Sequence, residues 1–200
     1  MDLPILLIII IALALVFDFI NGFHDAANSI ATIVSTKVLT PFQAVLWAAL
    51  WNFAAFFTAL YIIGEFRIGN TIAKSVNEDF INLEVILAGL IAAIIWNLLT
   101  WWFGIPSSSS HTLIGGFMGA ALMHALVTQY TLISGVHPDA GFAHNLMQAF
   151  KNLLSLDVVK YDKVIPIFLF IFLAPIIGMV ISVIITLIIV FISRKSVPHK

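Results

Sequence analysis

The sequence predicts an all-α membrane protein with about four to five transmembrane helices, a discontinuous first helix and a re-entrant helical hairpin. Three observations carry that expectation. Of 200 residues, 62% are hydrophobic and only 10% are charged, and the mean hydropathy is +1.11. A soluble domain carries roughly 25% charged residues, enough to clothe a water-facing surface. This chain is too apolar for that, so lipid must be the solvent for most of its outer faces. Apolar runs of near-spanning length alternate with polar stretches along the whole chain. Finally, two polar segments, residues 18–35 and 107–116, are sunk into otherwise apolar sequence.

Other classes fall away on composition. The net charge of −1 offers no basic surface for nucleic acid. With no cysteine, disulfides and thiolate metal sites are excluded. The start, Met1-Asp2-Leu3-Pro4, lacks the positive segment of a cleavable leader and no small-residue cleavage site follows; a retained first span is expected.

The first apolar run, 3–17, is short against the usual ~20 residues. It meets two Asp, two Asn, a Gly and a His within residues 18–29, which predicts a helix broken or extended at membrane depth. Apolar character resumes over 30–38, and Pro41 starts a new element. The second span covers about 42–63, with Trp47, Trp51 and Asn52 inside it. Residues 64–82, with Glu65, Arg67, Lys74, Glu78 and Asp79, read as a solvent loop. The third span, about 83–103, contains Asn97 and Thr100 and ends in Trp101-Trp102, a pair suited to the membrane interface. Gly104-Ile105-Pro106 should break the helix. Four serines, His111 and Thr112 then precede a Gly/Ala-rich run, 113–127, read as a half-helix of a re-entrant hairpin. The longest polar stretch, 128–163, reads as a loop, within which 143–156 fits an amphipathic interfacial helix. The last span, about 164–192, holds Pro166 and Pro175, so tilt or a kink is expected. Arg194, Lys195 and Lys200 follow it and argue for a cytoplasmic C-terminal end. Residues 1–200 are expected to form a single transmembrane domain.

Chemistry concentrates in two places. Asp18, Asn21, His24, Asp25 and Asn28 recur at helical spacing and can share one face. A carboxylate at bilayer depth costs about 2.5–3.5 kcal/mol on insertion scales. Two within eight residues call for a cation, a proton or a water-filled space. The blander alternative is helix capping or a pair with a loop lysine. Residues 107–112 supply five hydroxyls and an imidazole directly before an apolar run. Free N–H groups at a helix start, with hydroxyl donors, make an anion site without formal positive charge. Phosphate and sulfate suit it; the alternative is a plain helix cap with spare serines. Asn52 and Asn97 are mid-span, where a lone Asn is commonly interhelical glue. His124 reads as a packing residue, and Gly115–Gly119 as tight helix packing.

Gly22-Phe23-His24-Asp25-Ala26-Ala27-Asn28-Ser29 resembles the signature of the PiT inorganic phosphate transporters, Gly-x-(Asn or His)-Asp-x-x-Asn. Residues 92–98 together with Gly104-Ile105-Pro106-Ser107-Ser108-Ser109-Ser110-His111-Thr112-Leu113-Ile114-Gly115-Gly116 resemble that family's hairpin entry. Both motifs are long and stand in matching order, and the resemblance covers essentially the whole chain. It implies a secondary transporter, not an enzyme, that imports phosphate with a coupling cation. It further implies two inverted halves, each with one Gly-x-x-Asp-x-x-Asn copy. Only one copy is present here, so the chain is expected to be the N-terminal half, completed by a missing second half or a complementary subunit. His24 and Asn52 stand where sodium-coupled members commonly have Asn and Glu. Both resemble the bacterial low-affinity branch, associated with proton coupling and neutral metal–phosphate complexes.

The resemblance therefore places Asp25, Asn28, Asn21, Asp18 and His24 at the coupling cation or proton, and Ser108, Ser109, Ser110, His111, Thr112 and Asn97 at phosphate. No resident metal or cofactor is expected, and the location is a bacterial inner membrane, as a half-transporter or homodimer. Two other classes compete. An intramembrane hydrolase would use a serine, His111 and Asp25, but the Gly-x-Ser-x-Gly and His-Glu-x-x-His motifs are absent. A non-transporting membrane subunit is the other, and sulfate is the nearest competing substrate.

Overall fold

A computed structural model describes residues 3–64, 70–71 and 73–194. Glu65 and Arg67 of the loop, and Lys195 and Lys200 of the basic C-terminal cluster, lie outside the described residues. The chain is built of helices: α1 (Leu3–Ser35), α2 (Pro41–Thr58), α3 (Leu83–Trp102), α4 (Ser109–Val136), α5 (Phe142–Ser155) and α6 (Tyr161–Ser193). Among the described residues, five helical segments are long and apolar enough to cross a membrane: α1, α2 with its continuation to Ile63, α3, α4 and α6. The protein is thus an all-α, multi-pass membrane protein. It divides into two compact units, residues 1–160 and 161–200.

The break expected in the first helix is absent. α1 runs unbroken for 33 residues through Asp18, Asn21, His24, Asp25 and Asn28. Polar side chains do not themselves open a helix. Between Ile5 and Ser35 there is no proline, and Gly22 is a lone glycine, which a helix tolerates at about 1 kcal/mol relative to alanine. α1 ends in a backbone motif instead. The Val38 N–H donates to the Ile33 carbonyl at 3.2 Å and the Lys37 N–H to Val34 at 3.1 Å, with Lys37 in the left-handed region at φ 58°. This pairing satisfies the last carbonyls of the helix.

α2 starts where the sequence places it. Pro41 is at the first helical position, and Thr40 and Gln43 form a reciprocal capping box, satisfying two N–H groups otherwise unpaired. α2 then widens into a five-residue π-helical turn, Ala59–Ile63, closed by Gly64 at φ 77°. The start of α3 is set by Asn82, whose side chain accepts from the Val85 N–H at 2.8 Å.

α3 and α4 form the hairpin at the centre of the first unit. Gly89 and Gly116 let their backbones meet: a Cβ built on Gly116 would lie 2.7 Å from the Gly89 carbonyl oxygen. α1 also packs against α3, with Ile10, Phe17, Leu90 and Ala93 in one apolar cluster. A second cluster joins Val76, Val85, Ala121, Ala125 and Val158.

Residues 128–163, read as a polar loop, are largely helical. α4 carries on to Val136, because nothing from Leu113 to Val136 stops a helix and the first proline beyond is Pro138. The expected half-helix is therefore a helix of 28 residues. α5 matches the amphipathic segment. Asn145 and Ala149 are buried, while Phe142, Met147, Phe150 and Leu154 stay exposed. In the second unit α6 is one helix that includes Pro166 and Pro175 and has no buried residue.

Candidate functional site

The turn between α3 and α4 is shaped by Gly104. At φ 64° it adopts a conformation costly for other residues. This lets the Ile105 N–H reach back to the Thr100 carbonyl at 2.8 Å and the Gly104 N–H to Trp101 at 3.1 Å. α3 is thereby closed, and Pro106 and Ser107 are presented toward α1.

Within the turn the hydroxyls are ordered by local bonds. The Thr112 hydroxyl donates to the Ser108 carbonyl at 2.9 Å. Its hydrogen is spent there, so in the 3.3 Å contact with Ser107 Oγ the serine is the donor. Ser108 precedes the first helical residue, yet its side chain makes no cap bond. Its Oγ lies 2.6 Å from His111 Nδ1 instead. The first N–H groups of α4, those of Ser109, Ser110 and His111, have no partner within the helix, and the macrodipole makes that end favourable for an anion.

Two spaces flank the turn. One is a cleft of about 550 Å³ lined by Ser107, Ser108, His111 and Thr112 on one side and by Ala92 and Trp96 of α3 on the other. The second is a hollow of about 340 Å³, where His24 and Asn28 of α1 face Thr100, Trp101 and the turn from Gly104 to Ser107. Pro106 and Ser107 belong to both linings. Beyond Asn28, α1 continues seven residues to Ser35, about 10 Å at 1.5 Å per residue. α1 therefore runs on beyond the residues that meet the turn. Phe23 and Trp101 meet edge-on at 5.6 Å beside the hollow and tie α1 to the end of α3.

The predicted residues are brought together in part. His24 and Asn28 reach the turn, and Ser108, His111 and Thr112 line the cleft. Asn21 is half-buried on α1 and Asp25 is exposed. Asp18 is separate: it lines another hollow of about 340 Å³ with Phe17, Ile86 and Leu113. Six residues of straight helix put it about 9 Å from the level of His24. Ser110 is exposed, and Ser109 is only 6% exposed; neither lines the cleft. Asn97 is 0% exposed, and neither its Nδ2 nor its Oδ1 has a hydrogen-bond partner. An unpaired buried polar group costs about 1–3 kcal/mol, so this amide has unused capacity for a ligand. Ser107 lines both spaces but is not among the expected ligands; its place immediately after Pro106, in the turn itself, is the signal that marks it. Asn52 lies in a further hollow of about 260 Å³ with Ser29, Trp47 and Trp51.

Hydrolytic chemistry has no support in this geometry. Among the described residues no carboxylate bonds to His111, so the Ser108–His111 pair lacks the acidic partner that orients the base in a serine triad.

The chain matches the phosphate transporter family over residues 21–200. It is 55% identical over 118 residues to a probable low-affinity inorganic phosphate transporter of Rhizobium meliloti, covering 58% of this chain and 34% of that protein. A Bacillus subtilis protein of the same description is 51% identical over 130 residues, 62% of this chain and 36% of that one. The low-affinity inorganic phosphate transporter PitA of Escherichia coli is 33% identical over 183 residues, 88% of this chain and 31% of that one. The chain thus spans about a third of the length of these relatives. No solved structure matches it.

Proposed function

This chain belongs to the phosphate transporter family, and on that premise we propose that it forms part of a plasma-membrane symporter moving inorganic phosphate together with a proton. The observation that carries the reading is the shared turn. On one side lie an imidazole, hydroxyls and the free N–H groups of a helix start; on the other lie His24 and Asn28 of the acidic α1 face. Phosphate is taken as the ligand of the cleft, free or as a divalent metal complex. It is met by Ser107 and His111, by the N–H groups at the start of α4, and by Ser110 and Asn97 once the site closes, while Ser108 holds the His111 ring. Thr112 and Ser109 act through the backbone and packing rather than as donors. Asp25, Asn28, His24 and Asn21 are taken to hold the coupling proton or cation, with Asp18 outside that set.

The named relatives are longer bacterial low-affinity phosphate transporters, of which the matched part of this chain covers about a third. That length supports a second, inverted copy of this unit in the complete transporter, with alternating access by one repeat rocking against the other. Phosphate uptake by cells expressing the full-length protein tests the reading. Asp25→Asn should abolish most of the uptake, because it removes the intramembrane carboxylate assigned to the coupled charge; uptake at the wild-type rate removes Asp25 from the mechanism. Excess sulfate should leave uptake unchanged, and strong competition would make sulfate the better substrate.

A further inference from the structure

A serine directly before a helix ordinarily accepts a hydrogen bond from an N–H of the first turn. Ser108 does not; its hydroxyl is engaged with His111 Nδ1 at 2.6 Å. His111 is exposed to the 550 Å³ cleft, and its Nε2 has no partner among the described residues. We infer that Ser108 is a positioning residue, which fixes the His111 ring so that Nε2 serves the anion cleft in both charge states of the imidazole. This rests on the phosphate reading above.

The proton accounting supports a fixed ring. In the neutral imidazole the Ser108 hydroxyl donates to Nδ1, and the hydrogen sits on Nε2, free to donate to a phosphate oxygen. When the ring takes up a second proton, it arrives at Nδ1. The Nδ1–H then donates to Ser108 Oγ, the hydroxyl hydrogen turns away, and the heavy atoms keep their places. The cleft gains a full positive charge, and the bond from Nε2 to phosphate becomes charge-assisted. A histidine anchored by a backbone carbonyl could not do this, because the carbonyl only accepts.

Among the described residues, the remaining walls contribute no titratable group. α3 supplies Ala92 and Trp96, the turn supplies Pro106 and Ser107, and α4 supplies Thr112, Gly115 and Gly116. On α1 the titratable groups are Asp18, His24 and Asp25; of these, His24 lines the neighbouring hollow, across Pro106 and Ser107. Among the described residues that line the cleft, His111 is therefore the ionisable one.

The test is phosphate uptake by the full-length protein across about pH 5–8, the titration range of histidine. Wild type, S108A, S108T, H111Q and S108A/H111Q are compared at each pH so that the ionisation of phosphate itself cancels. S108A should raise KM about tenfold at the acid end, as a lost charge-assisted bond does, flatten the pH response and leave kcat within about twofold. S108T, which keeps the hydroxyl, should behave as wild type. The double variant should match H111Q alone, since a residue acting through another adds nothing once that partner is gone. A further tenfold loss on adding S108A to H111Q would make Ser108 a direct ligand and overturn the inference, as would a wild-type KM and pH profile in S108A. Nitrogen NMR of the histidines in the purified wild type reads the same point without a variant: neutral His111 should carry its hydrogen on Nε2, and hydrogen on Nδ1 refutes the arrangement. Wild-type protein that reaches the membrane but takes up sulfate and no phosphate sinks the phosphate reading itself, a result separate from any behaviour of Ser108.

Discussion

In the turn before α4, Ser107, Ser108, His111 and Thr112 are all engaged with partners within five residues of one another. On α1, Asp18, Asn21, His24, Asp25 and Asn28 have no side-chain hydrogen-bond partner among the described residues, and three of the five are exposed. Both segments put polar groups among apolar helices, but they differ in what they ask of their surroundings. The turn is organised before any ligand arrives, so binding there needs little further ordering. The α1 face has only a regular backbone, and these side chains have no hydrogen-bond partner among the described residues. A polar residue in a membrane helix can thus mark either a finished donor array or an unfinished one, and the hydrogen bonds tell them apart.

Four substitutions sharpen that contrast. The largest effect on stability is expected from Gly116→Ala, whose new methyl would sit 2.7 Å from the Gly89 carbonyl oxygen. The hairpin must part to admit it, at a cost of about 1–3 kcal/mol, seen as a lower unfolding temperature in detergent. Gly115→Ala serves as the comparison, because its methyl meets nothing within 4 Å. Next, Gly104→Ala forces a Cβ into the left-handed region at φ 64°, costing about 1–2 kcal/mol and disordering the turn, so uptake should fall with stability. Thr112→Val removes the hydroxyl that ties Ser107 to the Ser108 carbonyl. About 1 kcal/mol of stability and part of the uptake should go together. The smallest effect on stability belongs to Asn28→Ala on the unfinished face: within about 0.5 kcal/mol of wild type, yet with uptake clearly reduced. If Asn28→Ala destabilises the fold as much as Thr112→Val does, the two segments are not differently organised.

Much of this was legible in the residues, and the reasons are local. Pro41 behind Thr40 marks the start of α2 because the proline ring and the capping hydroxyl both favour that boundary. Gly104-Ile105-Pro106 marks the end of α3 because a glycine can take the left-handed turn and a proline cannot continue the helix. The continuity of α1 was not legible from polarity, since Asp18, Asn21 and Asp25 at helical spacing suit an intact helix as well as a broken one. Nor could residues 128–163 be assigned by their charge content; what decides them is the lack of a breaker until Pro138. At the site, the presence of a serine-rich turn before a helix could be read directly. Which serine lines the cleft depends on where the helix starts and on its phase. That is why Ser107 gains a place, Ser109 turns inward and Ser108 is bound to His111.

Pro106 and Ser107 form one wall between two compartments. A displacement of that wall toward the cleft narrows the cleft and widens the space beside His24 and Asn28, and the reverse displacement does the opposite. An occupant that prefers one position of the wall changes the free energy of occupying the other side, and linkage requires the influence to be equal in both directions. Coupling between two solutes would then need no long-range pathway through the protein, only a partition two residues thick that both of them touch.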